Sequence, residues 1–288
     1  MQLNDLLEEV GIDPKTVIVM RHRPGEPELR KVLPWLAAER PDVYNAYQQT
    51  QSPRAEKAMT KAAYIASFIG HASGKALFVG LYKRGKWKTI SPKAYRDRPA
   101  YKELAKFGHQ GLPKDWSSIF WFDLELIDFY QRWQGKMIID WPGGERSWYR
   151  WADRNEFKID AILEESALDA AMPAWNALVV TWDELRVLPT KWKNSLKEWR
   201  GIYLIFDKNN RQGYVGSAYG KDNILGRWLN YAATGDGGNK GLKKRDPGNF
   251  LFSILQRVSP DMEAEDIIRL EANWKDRLHT LKFGMNEN

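Results

Sequence analysis

The C-terminal part of the chain contains five polar residues whose types could together bind an anion, hold a cation and move a proton. Tyr203 and Tyr214 lie in the stretch RGIYLIFDKNNRQGYVGSAYG, which reads as a strand, a polar turn and a second strand. Arg227 and Tyr231 are four residues apart, so they share one face of a predicted helix. Glu271 lies on the last predicted helix. A guanidinium binds anionic oxygens, a carboxylate holds a divalent cation, and a phenol exchanges a proton.

Each of these residues also has a simple structural interpretation. Strand tyrosines usually pack half-buried, and an Arg–Tyr pair on a helix usually lies at the surface. A glutamate among apolar neighbours usually faces solvent from the other side of its helix. The loop GDGGNKGLKKR at 235–245 follows no strand and lies in no βαβ unit, so it is a poor dinucleotide-binding fingerprint. Only the combination of these features points to a functional site.

In that combination the order of motifs resembles the GIY-YIG nuclease family. GIY stands at 201–203 and YVG at 214–216, and Arg227 with Tyr231 and the distant Glu271 follow in order. The stretch GYVGSAYGKDNILGRWLNYAATGDGGNKGL is similar to the restriction-type and stand-alone members, and so is the closing KFGMNEN. The resemblance covers residues 200–288, under a third of the chain.

The resemblance implies a small three-stranded antiparallel sheet flanked by helices, and phosphodiester cleavage with one divalent metal ion, Mg²⁺ or Mn²⁺. Glu271 matches the acidic metal ligand, and Arg227 matches the arginine that contacts the scissile phosphate. Tyr231 matches a helix tyrosine that assists at the phosphate. Tyr203 and Tyr214 match the two motif tyrosines, one of which activates the water. Nearby cations are expected to make a phenolate more accessible, and either Tyr203 or Tyr214 could be the base.

Some positions depart from the family pattern. Ser217 stands where several members have lysine, and Gly226 stands where repair-type members have histidine. Asn286 loosely matches a late asparagine of many members. Helper groups could come from Ser217 or from basic residues that we assign to nucleic-acid binding. These are Lys221, Lys240, Lys243, Lys244 and Arg245.

The periodicity of the rest of the chain predicts an α+β protein. We expect an N-terminal DNA-recognition region over 1–195 and a nuclease domain over 200–288. Within the first region, residues 1–70 read as helical, 71–165 as a small antiparallel barrel-like β region, and 166–199 as a helical connector. The stretch SPRAEKAMTKAAYIASFIG (52–70) reads as one helix, and ALFVGLYKRGKWKTIS (76–91) as two strands around a Lys-Arg-Gly turn. Thr181 and Glu184 form a capping-box pattern.

Composition gives weaker indications about partners and compartment. The chain has 288 residues, a formal net charge of +7 and no cysteine. The basic balance favours a polyanionic partner, and the lack of cysteine fits a reducing compartment. We see no secretion signal and no stretch long enough to cross a membrane, so we expect a cytoplasmic protein.

Twelve of the fourteen tryptophans precede Arg200, which leaves two interpretations of the N-terminal region. Its rings and arginines, with RHRPGEP at 21–27 and WPGGERSWYRW at 141–151, suit base and phosphate contacts. The alternative is that most of these rings fill a barrel core. A pocket for a flipped or modified base is a further hypothesis.

The sequence therefore predicts a metal-dependent endonuclease that acts on double-stranded DNA. Its role is expected in restriction or anti-phage defence, with modification sensing by the N-terminal region. One active site cuts one strand, so a duplex cut needs a homodimer or two visits. The alternatives are a structure-specific repair or recombination nuclease, and a catalytically inert nucleic-acid-binding module.

Overall fold

The computed structural model describes residues 1–111, 116–143, 147–169, 172–243 and 245–287. The chain forms two compact units, residues 1–170 and 171–288. The sequence predicts a boundary near residue 200 instead. The structure assigns residues 172–199 to the second unit because Leu178, Leu185 and Leu196 are buried in the same core as Tyr203.

The first unit combines short helices with a seven-stranded sheet. Its helices are α1 (Leu3–Glu9), α2 (Pro27–Glu39), α3 (Pro41–Gln49), α4 (Pro53–Met59), α5 (Pro92–Asp97) and α6 (Pro99–Ala105). Its strands are β1 (Val17–His22), β2 (Tyr64–Gly70), β3 (Lys75–Ile90), β4 (Ile119–Ile127), β5 (Met137–Asp140), β6 (Tyr149–Trp151) and β7 (Ile159–Ile162). The strand order is β6-β1-β2-β3-β5-β7, with β4 paired to β3. The predicted α+β class is confirmed.

Two strands lie in the region that the sequence analysis treats as helical. Within 52–70, helix α4 ends at Met59 and strand β2 begins at Tyr64. The prediction of one helix is wrong there because the apolar run YIASFI is compatible with either a buried helix or a buried strand. Its hydrogen bonding to the neighbouring strands makes it a strand. β2 lies between β1, to which it is parallel, and β3, to which it is antiparallel. Burial on both faces suits such a continuous apolar run.

β3 is one strand of 16 residues rather than the predicted pair around a turn. Its first half pairs with β2 and β5, and its second half continues alongside β4. The Lys-Arg-Gly sequence lies where the β3–β4 register shifts, between Arg84 and Trp87. Gly85 is accommodated at this irregularity, and the chain continues in the same direction. We call residues 85–90 of β3 with 119–123 of β4 the ribbon.

The second unit carries the expected small antiparallel sheet with one added strand. Its strands are β8 (Val179–Thr181), β9 (Arg200–Asp207), β10 (Gln212–Ala218) and β11 (Phe250–Val258), in the order β10-β9-β11-β8. Its helices are α7 (Trp182–Arg186), α8 (Thr190–Glu198), α9 (Asn223–Thr234), α10 (Ala264–Arg277) and α11 (Thr280–Phe283). The predicted capping box is confirmed: Thr181 Oγ1 accepts from the Glu184 amide, and the Glu184 carboxylate accepts from that of Thr181.

Helix length and polarity determine whether a helix could cross a membrane. Across the described ranges, none of the helices is long and apolar enough to cross a membrane.

Candidate active site

The hairpin of β9 and β10 positions Tyr203 and Tyr214 on one face of the sheet. In its register Tyr203 lies opposite Gly216, and Tyr214 lies opposite Ile205. A side chain at position 216 would collide with the Tyr203 ring and hydroxyl, so the glycine leaves the space that this hydroxyl occupies. Tyr203 is fully buried, whereas Tyr214 is 8% exposed and lines an open cleft. The two tyrosines are therefore close together but differ in access to water.

Helix α9 brings Arg227 and Tyr231 against the hairpin. Their spacing puts both side chains on the helix face that packs on the sheet. The Tyr231 ring lies with its centroid 6.2 Å from that of Tyr203 and 6.3 Å from that of Tyr214. Its hydroxyl is 3.1 Å from the Tyr203 hydroxyl. Arg227 Nε donates to the Tyr203 oxygen at 3.4 Å. The surface interpretation of the Arg–Tyr pair is therefore wrong.

Asn239, which the sequence analysis did not single out, joins the remaining tyrosine to this group. Tyr214 donates to Asn239 Oδ1 at 2.9 Å, and Asn239 Nδ2 donates to the Tyr231 hydroxyl at 2.8 Å. A continuous hydrogen-bonded chain thus runs from Tyr214 through Asn239, Tyr231 and Tyr203 to Arg227. We call it the tyrosine network.

Glu271 projects from α10 towards β10 and is part-buried. Its side chain is 17% exposed, and Ser217 Oγ donates to its Oε2. Lys275, one turn later on α10, lies with Nζ 2.8 Å from Oε1. Ser217 is thus a proposed helper that contacts Glu271 directly, and Lys275 is a neighbour that was not predicted from the sequence. The i,i+4 spacing of Glu271 and Lys275 was a signal that could have found it.

A cleft of about 490 Å³ opens beside these groups. Its lining is mostly polar and includes Tyr214, Asn239, Lys240, Glu271 and Lys275. The cleft therefore gives solvent and small ions access to one end of the tyrosine network and to the carboxylate at the same time.

Burial sets the ionisation of the three tyrosines. Desolvation raises the pKa of Tyr203 and of Tyr214 above the ordinary phenol value, and it raises the pKa of Tyr231 further. The charge of Arg227 acts in the opposite direction on Tyr203 but does not outweigh burial. The expected effect of a neighbouring cation is therefore present, because Arg227 lowers the pKa of Tyr203, but burial outweighs it in the protein by itself. Arg227 stays charged, because its interaction with Tyr203 raises the guanidinium pKa.

The basic residues assigned to nucleic-acid binding fall into different environments. Lys221, Lys240 and Lys243 are exposed, and Lys240 also lines the cleft. Arg245 instead holds the fold together: its guanidinium donates to Asp207 at 3.0 Å, Gln212 at 2.7 Å and the Gly241 carbonyl at 2.9 Å. Lys244 lies outside the described residues.

Asn286 has a structural position next to the site. Its side chain is buried, accepts from the Val215 amide at 2.9 Å and donates to the Val215 carbonyl at 2.8 Å. These two bonds tie the end of the chain to the middle of β10, between Tyr214 and Gly216. Asn286 therefore supports the strand that carries Tyr214.

The described residues contain no group of three or more His, Asp or Glu side chains that could hold a metal ion. A single carboxylate is still a suitable ligand for Mg²⁺, which prefers hard oxygen donors and keeps several of its waters. Glu271 meets that requirement, since its carboxylate lines a polar, open cleft. The donor set thus fits Mg²⁺ or Mn²⁺ and does not fit an ion that needs several protein ligands.

Comparison with known proteins agrees with the resemblance read from the motifs. Residues 200–286 match the model of the GIY-YIG catalytic domain. The chain is also similar to a solved structure of a mutant of the catalytic domain of intron endonuclease I-TevI, at 26% identity and a TM-score of 0.27. That match covers 31% of this chain and 94% of the other. No curated protein matched the sequence. The predicted domain is confirmed, and with it the enzyme class, an endonuclease that hydrolyses DNA phosphodiester bonds.

Proposed function

We propose that this chain, whose residues 200–286 form a GIY-YIG catalytic domain, is a divalent-metal-dependent endonuclease of restriction or anti-phage defence. The observation that supports an active site is the tyrosine network, which ends at the same cleft that Glu271 lines. An inert module would have no need to keep five buried or part-buried polar side chains hydrogen-bonded to one another, because apolar side chains of similar shape could replace them at little cost in stability.

Glu271 is the proposed metal ligand. A divalent cation held there would polarise a phosphate oxygen and offset the negative charge that develops on the leaving group. Ser217 and Lys275 orient the carboxylate from either side, since each contacts a different oxygen. Glu271 therefore presents a fixed pair of oxygens to the cleft.

Arg227 is the proposed phosphate-binding group. Its guanidinium is held by the Tyr203 oxygen through Nε, which leaves the two terminal nitrogens to donate to a phosphate. Donors already in place when charge develops lower the barrier without reorganisation. Tyr231 supports this geometry, because it packs on both strand tyrosines from the helix that carries Arg227.

Tyr203 is the proposed proton acceptor, and Tyr214 positions the water. The Tyr203 oxygen accepts from Arg227 Nε and lies 3.1 Å from the Tyr231 hydroxyl, which would donate to it once Tyr203 is ionised, so both groups would stabilise the ionised form. The Tyr214 hydroxyl lines the cleft, where a water would meet it first. Because burial raises the pKa of Tyr203, this role implies a rate that climbs with pH.

The biological role rests on the similarity of the stretch at 213–242 to restriction-type members and on the presence of a second, larger unit. We propose that residues 1–170 recognise double-stranded DNA, with modification sensing as part of that recognition. We also propose that the enzyme works in the cytoplasm as a homodimer when it cuts both strands, because each chain carries one active site.

One experiment tests the proposal as a whole. The purified chain is incubated with one genomic DNA in modified and unmodified forms, with Mg²⁺, with Mn²⁺ and with EDTA, and the new ends are sequenced. Defined ends that depend on modification support a restriction enzyme. Cutting confined to flaps or junctions supports the repair alternative. No cutting with either metal, or cutting unchanged in Arg227→Ala, would overturn the assignment, because losing one fixed donor should cost about 10²-fold in rate.

A further inference from the structure

The positive charge of this chain is concentrated in one short segment. Residues 83–106 contain nine basic and two acidic residues, a net charge of +7, which equals the formal net charge of the whole protein. The basic residues are Lys83, Arg84, Lys86, Lys88, Lys93, Arg96, Arg98, Lys102 and Lys106. The remaining 264 residues are therefore neutral in sum. We call residues 83–106 the basic lobe.

The fold presents this lobe as a distinct feature of the first unit. Beyond Arg84, strand β3 continues alongside β4 as the ribbon, and its end leads directly into α5 and α6. In the ribbon, strand β3 is exposed from Gly85 to Thr89. Exposure therefore follows the charge: seven of the nine basic side chains, all except Arg84 and Arg98, are exposed.

Within the described part of the unit, little of this charge is neutralised. Among the described residues, the lobe has one salt bridge, between Lys106 and Glu103 at 2.5 Å. The acidic side chains of β4, Asp123 and Glu125, lie at the base of the ribbon, opposite the Lys83–Gly85 part of β3. The outer part of the ribbon faces only the uncharged residues Ile119 to Phe122. Closely spaced like charges repel one another unless an anionic partner is present.

Two of the three arginines of the lobe, Arg84 and Arg98, lie over tryptophan rings. The Arg84 guanidinium lies 4.7 Å from the centre of Trp87, and Arg98 lies 4.7 Å from Trp121. Lys88 approaches the same Trp121 ring at 5.4 Å. Stacking of this kind fixes the direction of the charged head group, so less freedom is lost when it binds a phosphate.

The helical part of the lobe is also fixed in place. Tyr95 of α5 and Tyr101 of α6 are buried and stack with their ring centroids 3.9 Å apart. Arg96 and Lys102 flank these rings and line a cleft of about 310 Å³. The exposed cations therefore stand on a preformed surface, and a partner with regularly spaced negative charge meets it without reordering the helices.

We propose that the basic lobe is the surface through which the first unit docks on the phosphate backbone of duplex DNA. The inference rests on the proposed function, since it assumes that DNA is the partner, and it adds where that partner binds. It also narrows one prediction made from the sequence. Within RHRPGEP, Arg21 and His22 are 2% exposed each and lie inside the unit, whereas Arg23 is exposed.

A matched pair of triple variants of the full-length chain tests this assignment. The lobe variant combines Lys86→Gln, Lys88→Gln and Arg96→Gln. The control removes the same charge elsewhere on the first unit with Lys15→Gln, Arg154→Gln and Lys158→Gln. All six side chains are exposed, so neither variant disturbs the core. Binding to a labelled duplex is measured in EDTA, between about 50 and 200 mM salt, where counterion release dominates affinity.

The lobe variant should bind on the order of 10²-fold more weakly at about 0.1 M salt, and the slope of log affinity against log salt should fall by roughly three. The control should keep the wild-type slope. Equal losses in both variants, or wild-type binding by the lobe variant, would overturn the proposal. If the wild-type chain cuts DNA and the lobe variant binds DNA as tightly as the wild type, the basic lobe is not the docking surface, but the proposed nuclease function stands. A wild-type chain that neither binds nor cuts duplex DNA removes the proposed function with it.

Discussion

The ammonium group of Lys275 lies 2.8 Å from Oε1 of Glu271, the carboxylate proposed to hold a divalent cation. Both side chains are largely buried, at 15% and 17% exposure, so solvent screens the pair less than it would at an open surface. Lys275 has two effects on the site. It fixes the orientation of the carboxylate, and it occupies the space in which a cation would compete for the same oxygen.

Replacing Lys275 by methionine should therefore tighten Mn²⁺ binding. The neutral side chain fills a similar volume without repelling the metal, and we expect an affinity gain of about tenfold. Titration calorimetry of the DNA-free protein measures this directly. Lys282→Met, which removes a charge from neighbouring α11, should leave the affinity unchanged. An unchanged affinity in Lys275→Met would show that the ammonium does not compete with the metal.

Glu271→Ala should abolish cleavage and leave DNA binding in EDTA intact. The carboxylate contacts Ser217 and Lys275 beside the cleft. Its removal therefore leaves the backbone hydrogen bonds of the sheet and of helix α10 in place. A cleavage assay with Mg²⁺ and a binding assay in EDTA separate the two effects. Wild-type cutting by the variant would remove Glu271 from the site.

Asn239→Ala should interrupt the tyrosine network at its centre. The Tyr231 hydroxyl and the Tyr214 hydroxyl each lose their bond to this side chain, and one hydrogen bond typically contributes about 0.5–1.5 kcal/mol to stability. We expect a lower free energy of unfolding by that amount and a cleavage rate reduced about tenfold, with DNA affinity unchanged in EDTA. Asn209→Ala, in the 208–211 turn of the same hairpin, is the control. Equal effects of both variants would argue against a positioning role.

The rate of single-turnover cleavage should rise with pH throughout the neutral range. Burial raises the pKa of Tyr203 above the ordinary phenol value of about 10, so the ionised fraction grows about tenfold with each pH unit below it. Tyr203→Phe should lose both the rate and its slope, whereas Tyr214→Phe should be slower with the slope preserved. A plateau in the wild-type profile below about pH 8 would contradict Tyr203 as the base.

His22 should make the first unit sensitive to mild acid. Burial lowers its pKa from 6.5 to about 4, so the folded state stays neutral while the unfolded state takes up a proton below pH 6.5. The free energy of unfolding is unaffected above that pH and should fall by about 2 kcal/mol between pH 7 and pH 5. Urea unfolding at both values, compared with His22→Gln, isolates this part of the pH dependence. His71→Gln, at an exposed histidine, should behave like the wild type.

The hairpin and its helices were predictable because local sequence decides them. Residues 207–213 combine an Asp, two Asn and a Gly, which is a turn composition, and short runs rich in aromatic and β-branched residues flank them, which favours a hairpin. The positions of Arg227 and Tyr231 follow from helical spacing alone. Asn239 was not predictable, because its position depends on two preceding glycines with positive φ, Gly237 at 58° and Gly238 at 83°.

The first unit was harder to predict for a different reason. Its strand β2 has no alternation, because it is covered on both faces, so the sequence could not distinguish it from a buried helix. His22 ends a fully buried strand, although its neighbours in sequence suggest an exposed basic motif. In both places long-range pairing determines the outcome, and pairing partners are not visible in a local pattern.

Strand β8 has a practical consequence for any attempt to study the catalytic domain in isolation. It covers one edge of β11 through the pairs of Val179, Val180 and Thr181 with residues 251–253. A fragment that begins at residue 200, where the family motif starts, would leave that edge bare, with unsatisfied amide and carbonyl groups beside an apolar core. Such edges recruit strands from other molecules. We expect this fragment to self-associate during purification, and a fragment that begins at 172 to remain monomeric at the same concentration.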